Sequence, residues 1–214
     1  MSMSNDAGLR ARKKLATRQA ISDVATELFV TRGFDAVTVA EIADAAGVAK
    51  MTVFNYFPRK EDLFFDRQEE GRALIGDALA AREKGESLVG VLERMVRGLV
   101  EAEHPLASFG GGIDRFWETV DNSAALTARA REIRDDLAVE LATMLATAAG
   151  RPADDADAKL GAQMFVAAWT VGYAEGLRQW RKGQDGEAAQ KVFMRLMGRG
   201  ISGMAGALVG TPYV

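Results

Sequence analysis

One short stretch, KMTVFNY at positions 50–56, collects side chains suited to reading a nucleic acid. Lys50 can donate to acceptors on base edges, and Asn55 can both donate and accept there. Thr52 and Tyr56 carry hydroxyls that suit phosphate oxygens. This is recognition chemistry rather than bond-making chemistry. Bond-making groups are scarce, because the 214 residues contain no cysteine and one histidine, His104. The lack of cysteine excludes a thiol nucleophile, a thiolate metal site and a disulfide. No G-x-S-x-G, G-x-x-x-x-G-K-[ST] or H-E-x-x-H motif occurs, so no enzyme, no cofactor and no catalytic residue are expected. Glu101, Glu103 and His104 lie close in sequence, but one histidine beside Pro105 reads as a helix-capping residue rather than a metal ligand.

Such a stretch reads bases only if a neighbouring element braces it against the major groove. The sequence supplies one. Ile21, Val24, Ala25, Leu28 and Phe29 recur at helical spacing, and Gly33 ends that segment. Thr38 and Glu41 then stand at capping-box spacing, followed by Val39, Ile42 and Ala43 on one apolar face. Gly47 breaks this second helix, and a third runs from Ala49 to Tyr56, with Val53 and Phe57 inward and Phe57-Pro58 at its end. Two short helices joined by a tight glycine turn are the signature of a helix-turn-helix. Ala49 stands where a capping Ser or Thr would help, and a missing cap costs roughly 1 kcal/mol. The third helix is therefore expected to order only on DNA.

The remainder predicts more helices. A fourth starts near Arg59 and runs through Leu63, Phe64, Leu74 and Ile75; others are expected near 87–103, 113–122, 124–149, 156–182 and 187–208. No alternating run reads as a strand. The expected fold is all-α, with a three-helix DNA-binding domain over 1–60 and a helical ligand-binding and dimerisation domain over 61–214. Residues 1–14 are expected to be a disordered arm, basic at Arg10, Arg12, Lys13 and Lys14. Positions 198–203, GRGISG, match G-x-G-x-x-G, but Ala188, Val192, Leu196 and Met197 precede them at helical spacing. That context suits close helix packing, not a nucleotide. Arg129, Arg131, Glu132, Arg134, Asp135 and Asp136 read as a solvated helix face.

Net charge is −3, yet it is unevenly spread. Residues 1–60 hold 9 Lys/Arg against 6 Asp/Glu, and residues 61–214 hold 18 against 24. A basic head on an acidic body fits a nucleic-acid partner for the head. The longest apolar-looking run, Met164 to Ala174, falls short of the roughly 20 residues a membrane span needs. No signal-type apolar stretch follows the N-terminus, so a soluble cytoplasmic protein without a membrane partner is expected.

The segment TRQAISDVATELFVTRGFDAVTVAEIADAAGVAKMTVFNYFPRKEDLF, Thr17 to Phe64, resembles the N-terminal domain of tetracycline-repressor (TetR) family regulators. The elements ELF, RGF, T-V-x-x-I-A, AGV and T-V-F-x-Y-F-x-x-K carry the resemblance. It implies double-stranded operator DNA, a homodimer and a small-molecule effector as partners. It also implies roles. Thr38, Thr52 and Tyr56 fall at phosphate contacts, Lys50 and Met51 where bases are read, and Phe54 and Asn55 at aromatic and variable contact positions. Lys60 resembles a phosphate anchor. Phe54 stands where tyrosine is usual, and either touches a thymine methyl or packs.

An inducer cavity is implied in the body. Its expected wall is Phe109, Phe116, Trp117, Met144, Phe165, Trp169 and Tyr173, with Arg115 or Glu118 as polar anchor. Large aromatic and flexible methionine side chains suit such a wall. A two-fold interface is expected over 156–208 through Ala167, Ala168, Gly172, Gly176, Gly203 and Gly206. The alternative is a helical adaptor that binds protein alone, in which Lys50 and Asn55 are incidental.

Overall fold

The computed structural model describes residues 3–110 and 112–214, with side chains from Arg12 onward, 111 excepted. The described residues are helical, with no strand among them. In chain order the helices are α1 (Met3–Arg32), α2 (Val39–Ala45), α3 (Lys50–Tyr56), α4 (Lys60–Phe64) and α5 (Gln68–Ala80). They continue as α6 (Leu88–Glu101), α7 (Ile113–Asp121), α8 (Ala124–Ala148), α9 (Ala156–Gly183) and α10 (Gly186–Ala207). Among the described residues no helix is long and apolar enough to cross a membrane.

Two compact units divide the chain. The first is the segment up to Asp66 together with Arg115–Ala130; the second is Arg67–Asp114 with Arg131–Val214. The sequence assigns everything after residue 60 to the body. The first unit takes 115–130 as well, because Val120 and Leu126 are buried in the same core as Ile21, Phe29 and Phe64. Phe116 stacks on Phe64 at 4.6 Å between ring centroids. Inside the unit, Ser123 Oγ donates to Asp35 at 3.0 Å and Arg129 Nε to Asp62 at 2.9 Å. Arg129 is thus not part of a solvated face; its side chain is 15% exposed.

Three local expectations are corrected. The N-terminal segment is helical from Met3, not disordered, through continuity with α1; positions 1–2 lie outside the described residues. Helix α3 is formed although Ala49 offers no side-chain cap. Its N-terminal turn closes on the Ala49 carbonyl, which accepts from Thr52 N at 2.8 Å and Val53 N at 3.3 Å, and Val53 is fully buried. Burial of that side chain outweighs a cap worth roughly 1 kcal/mol. The single fourth helix is two, α4 and α5. The break follows from Asp66, whose carboxylate accepts from Ser22 Oγ at 2.6 Å while its carbonyl faces Arg18 at 3.5 Å. Both partners lie on α1, so Asp66 is drawn out of the helical path.

The second unit is organised around the antiparallel pair α9 and α10. Small residues let their backbones approach. A Cβ on Gly200 would lie 2.2 Å from that of Ala168, and one on Gly176 2.4 Å from Phe109 Cζ. Gly172 faces Phe193 in the same way, at 3.2 Å. Ala168, Gly172 and Gly176 therefore serve packing within one chain, not the two-fold interface expected of them. Ala167, Gly203 and Gly206 remain exposed. The GRGISG segment lies inside α10. Tyr213 is fully buried, and its hydroxyl donates to Asp155 Oδ1 at 2.9 Å. Asp155 also caps α9 by accepting from Ala158 N at 3.0 Å. Burial, with Asp155 next to it, pushes the Tyr213 phenol up to about 12.

Candidate nucleic-acid interface

Helices α2 and α3 owe their geometry to two local devices. Gly47 sits at φ +66, a left-handed conformation that glycine adopts without strain, and reverses the chain between them. Thr38 opens α2 with a capping box. Its Oγ1 accepts from Glu41 N at 3.3 Å, and the Glu41 carboxylate accepts from Thr38 N and from Thr38 Oγ1, both at 2.8 Å. Arg32 at the end of α1 donates to the other carboxylate oxygen at 2.6 Å. The Arg32 guanidinium foremost, with the Thr38 backbone and hydroxyl, holds the Glu41 carboxyl down to about 2. Ile42, Ala43 and Val53 then bury the inner faces of the pair against Ile21, Ala25 and Phe29.

That packing turns one side of α3 outward. Lys50, Met51, Phe54 and Asn55 are exposed, with Met51 at 69% and Phe54 at 38%. Thr52 and Tyr56 are half-buried at the edges of this face. The Lys50 ammonium lies 6.0 Å from the centroid of the Phe54 ring. Phe54 therefore stands in the open, not in the core. A face with one cation, one amide, one ring and one thioether can combine hydrogen bonds to base edges with apolar contact to thymine methyls.

Two predicted phosphate contacts are placed differently from the outward-facing set. The Thr38 hydroxyl spends its proton on Glu41, so donating to a phosphate requires releasing that carboxylate. Lys60 turns inward. Its Nζ donates to the Phe34 carbonyl at 2.5 Å and lies 4.1 Å from the Phe34 ring centroid. Desolvation there lowers its pKa, opposed by Asp35, Glu61 and Glu41. In this arrangement the residue expected as a phosphate anchor braces α4 against the loop before α2, with its ammonium held between the Phe34 carbonyl and the electron-rich Phe34 ring.

Arg18 was not singled out by the sequence. It donates to the Tyr56 carbonyl at 3.1 Å, at the C-terminal end of α3, and lies 4.4 Å over the Phe57 ring. It thereby ties α1 to the end of the outward-facing helix. The available signal was its helical spacing to Ile21, Ser22 and Ala25.

The residues expected to line an effector site separate between the units. Phe116 and Trp117 pack against the core of the first unit, and Arg115 in the same unit is exposed. Phe109, Phe165, Trp169 and Tyr173 cluster in the second unit. Phe109 and Tyr173 lie 5.0 Å apart, and Phe165 and Trp169 6.3 Å. Phe193 joins the two pairs, 5.2 Å from Trp169 and 6.1 Å from Phe109. The sequence reading missed Phe193, although it stands four residues after Ala189 and four before Met197 on the buried stripe of α10. Met144 is half-buried on α8. His104 accepts from Leu106 N at 3.2 Å through Nδ1 and faces Glu70 at 3.3 Å through Nε2.

An outward-facing second helix, braced by a capped first one across a glycine turn, defines a helix-turn-helix DNA-binding domain. Residues 21–66 match the profile of bacterial regulatory proteins of the tetR family. The matched segment is similar to the N-terminal DNA-binding domain of tetR-family regulators. The chain is 41% identical over 61 residues to the HTH-type transcriptional regulator AcrR of Shigella flexneri, a match covering 28% of each chain. It is 28% identical over 158 residues to the HTH-type transcriptional regulator TcmR of Streptomyces glaucescens, covering 72% of this chain and 70% of that one. The AcrR match thus spans little more than a quarter of that relative. The fold is similar to that of the TetR-family repressor FadR of Thermus thermophilus, solved with lauroyl-CoA. There the TM-score is 0.51 and the identity 23%, over 87% of this chain and 94% of that one.

Proposed function

We propose that the protein is a transcriptional repressor that binds a near-palindromic operator as a homodimer and is released by a mostly apolar small molecule. The observation that carries the DNA reading is the outward set on α3. Lys50 and Asn55 read base edges, and Met51 and Phe54 contact thymine methyls. Thr52 and Tyr56, at the rim, bind phosphate, and Thr38 joins them when its hydroxyl leaves Glu41. Lys50→Ala is expected to weaken operator binding by about 1–3 kcal/mol and to relax preference at one base pair. Retardation by the variant with unchanged affinity and unchanged preference overturns the base-reading role. A chain that retards no DNA at all returns the reading to a protein-binding adaptor.

One head reads too few base pairs for useful specificity, so a second copy is required. The exposed residues of α9 support the pairing face, with Leu160 at 47%, Val171 at 54% and Ala167 between them. Two-fold pairing makes the operator a near-palindrome whose half-sites lie about 34–36 Å apart. The effector reading rests on the aromatic cluster of the second unit, with Met144 as a flexible neighbour, and on the lauroyl-CoA bound by the FadR relative. Ligand shifts the population toward dimers whose heads no longer match successive major grooves. A coupling of about 2–3 kcal/mol lowers DNA affinity roughly 30- to 150-fold, and linkage requires operator DNA to weaken the ligand equally. Equal ligand affinities with and without operator rule out that coupling.

A further inference from the structure

The chain has no thiol, so its thioethers are the side chains most open to mild oxidation. Its nine methionines stand at very different depths. Among the described side chains, Met197 and Met204 are buried, and Met95, Met144, Met164 and Met194 are half-buried. Met51 alone of these is in the open, at 69% exposure. A small oxidant therefore reaches its sulfur first. The core of the first unit does not use Met51, because the cluster that holds α3 takes Val53, with Val48 and Tyr56 packed against it. What distinguishes Met51 is its place. It lies in the first turn of α3, on the outward face with Lys50, Phe54 and Asn55. Met51 and Phe54 are the large apolar side chains that this face leaves uncovered.

We propose that Met51 is a modification site, at which oxidation of the thioether to the sulfoxide by a peroxide releases the protein from its operator. The sulfur lone pair attacks one oxygen of hydrogen peroxide. The S–O bond forms as the O–O bond breaks, and the departing hydroxide takes the remaining proton and leaves as water. Sulfur is oxidised by two electrons and the peroxide is reduced by two. A methionine sulfoxide reductase reverses the step at the expense of a dithiol, which becomes a disulfide while the oxygen leaves as water. The inference rests on the assignment of α3 as the reading helix, where Met51 covers a thymine methyl. A sulfoxide is polar, and a methyl group offers it no donor. Burying it there should weaken operator binding roughly 5- to 150-fold. In the complex the same sulfur is covered, so oxidation acts on the free protein and blocks rebinding.

The test uses the full chain and a duplex that it selects from random sequence. Hydrogen peroxide is the probe, and peptide mass spectrometry locates the oxygen. Met51 should be oxidised before Met95, Met144, Met164 or Met194, and bound duplex should slow its oxidation. Affinity should fall in proportion to the Met51 sulfoxide while the melting temperature stays constant. It should return on treatment with methionine sulfoxide reductase and dithiothreitol. In Met51→Leu the affinity, whatever the leucine sets it to, should be the same before and after peroxide. Replacing thymine by uracil removes the methyl. On the duplex whose uracil weakens the reduced protein, oxidation should add no further loss. A Met51→Leu chain that loses affinity to peroxide as the wild type does overturns the proposal, and so does a loss that the reductase fails to reverse. Wild type oxidised at Met51 with its affinity intact overturns it as well, and leaves base reading to Lys50 and Asn55. A wild-type chain that selects no duplex overturns the α3 reading, and this proposal with it.

Discussion

The two units are stabilised in opposite ways. The first fills a small core with large rings, with Phe29, Phe34, Phe64, Phe65 and Phe116 in a chain of contacts 4.6–6.3 Å apart. The second brings helix backbones together over glycine and alanine, at Gly161, Gly172, Gly176 and Gly200. One core is set by volume supplied, the other by volume withheld. Removing atoms should therefore damage the first most, and adding atoms should damage the second most.

Phe64→Ala gives the largest expected effect. Phe64 is 3% exposed and touches Phe29, Phe34, Phe65 and Phe116. Truncating a buried phenylalanine costs about 3–5 kcal/mol. Urea denaturation followed by circular dichroism should show an early transition for the first unit. A loss below about 1 kcal/mol would mean that the aromatic chain is not what holds this unit.

Gly200→Ala tests the other half. An alanine gains up to about 1 kcal/mol of helix propensity over glycine. Its Cβ, however, would meet that of Ala168 at 2.2 Å, with the Ala168 Cα at 3.4 Å and no flexible side chain to yield. Overpacking costs about 1–3 kcal/mol, so the clash wins and the variant should be less stable. Gly98→Ala, in α6 with nothing within 4 Å of the added carbon, should instead be more stable by up to about 1 kcal/mol. Opposite signs for two identical substitutions are the signature of close helix approach; equal signs would remove it.

The same contrast explains what could be read from the sequence. In the helix-turn-helix of the first unit each decisive signal lies within a few residues. Thr38 and Glu41 form the capping box, Gly47 makes the turn, and the period from Ile21 to Phe29 gives the buried stripe. Helix bounds in the second unit were also legible, as at α9, where Gly150 and Pro152 precede it and Gly183 ends it. What was not legible is pairing across distance. Tyr213 with Asp155, Trp180 with Asp114 at 2.9 Å, and Gly200 with Ala168 join residues that no local pattern relates. The small residues of α9 showed that something approaches closely, but not whether it was α10 of the same chain or a second copy. Lys60 shows the same limit within the site. Its position marks a cation at the start of a helix, but the ring and carbonyl that turn it inward belong to Phe34, twenty-six residues earlier.

Lys60→Ala sharpens that point with a smaller effect. As a brace, Lys60 contributes a charged hydrogen bond and a contact with the Phe34 ring, so the first unit should lose about 1–2 kcal/mol. Operator affinity should fall only through that loss, with the salt slope unchanged. A salt slope flattened by about one unit would instead make Lys60 a phosphate ligand that swings out on DNA.

The smallest effect is a pH dependence carried by Glu41. Its carboxyl sits at about 2 in the folded chain against an ordinary 4.5, because Arg32 and the Thr38 backbone and hydroxyl favour the charged form. A depressed folded value means that the folded state binds the proton less readily than the unfolded chain. The stabilisation is therefore fully present above pH 4.5, declines below it, and is gone once the pH has passed below about 2. Glu41 lies at the surface, where solvent screens the ion pair, so the amplitude should be small. Urea midpoints measured between pH 6 and pH 2.5 should fall less steeply for Glu41→Gln than for the wild type, with the two curves converging toward the acid end. The glutamine keeps a carbonyl for the Thr38 amide but cannot pair as a charge with Arg32, so the difference isolates the charged form. Salt should shrink that difference, since an exposed pair is screened within about 10 Å at 0.1 M. Parallel curves at every pH would show that the capping box of α2 acts through its hydrogen bonds alone and that the charge on Glu41 does not stabilise the first unit.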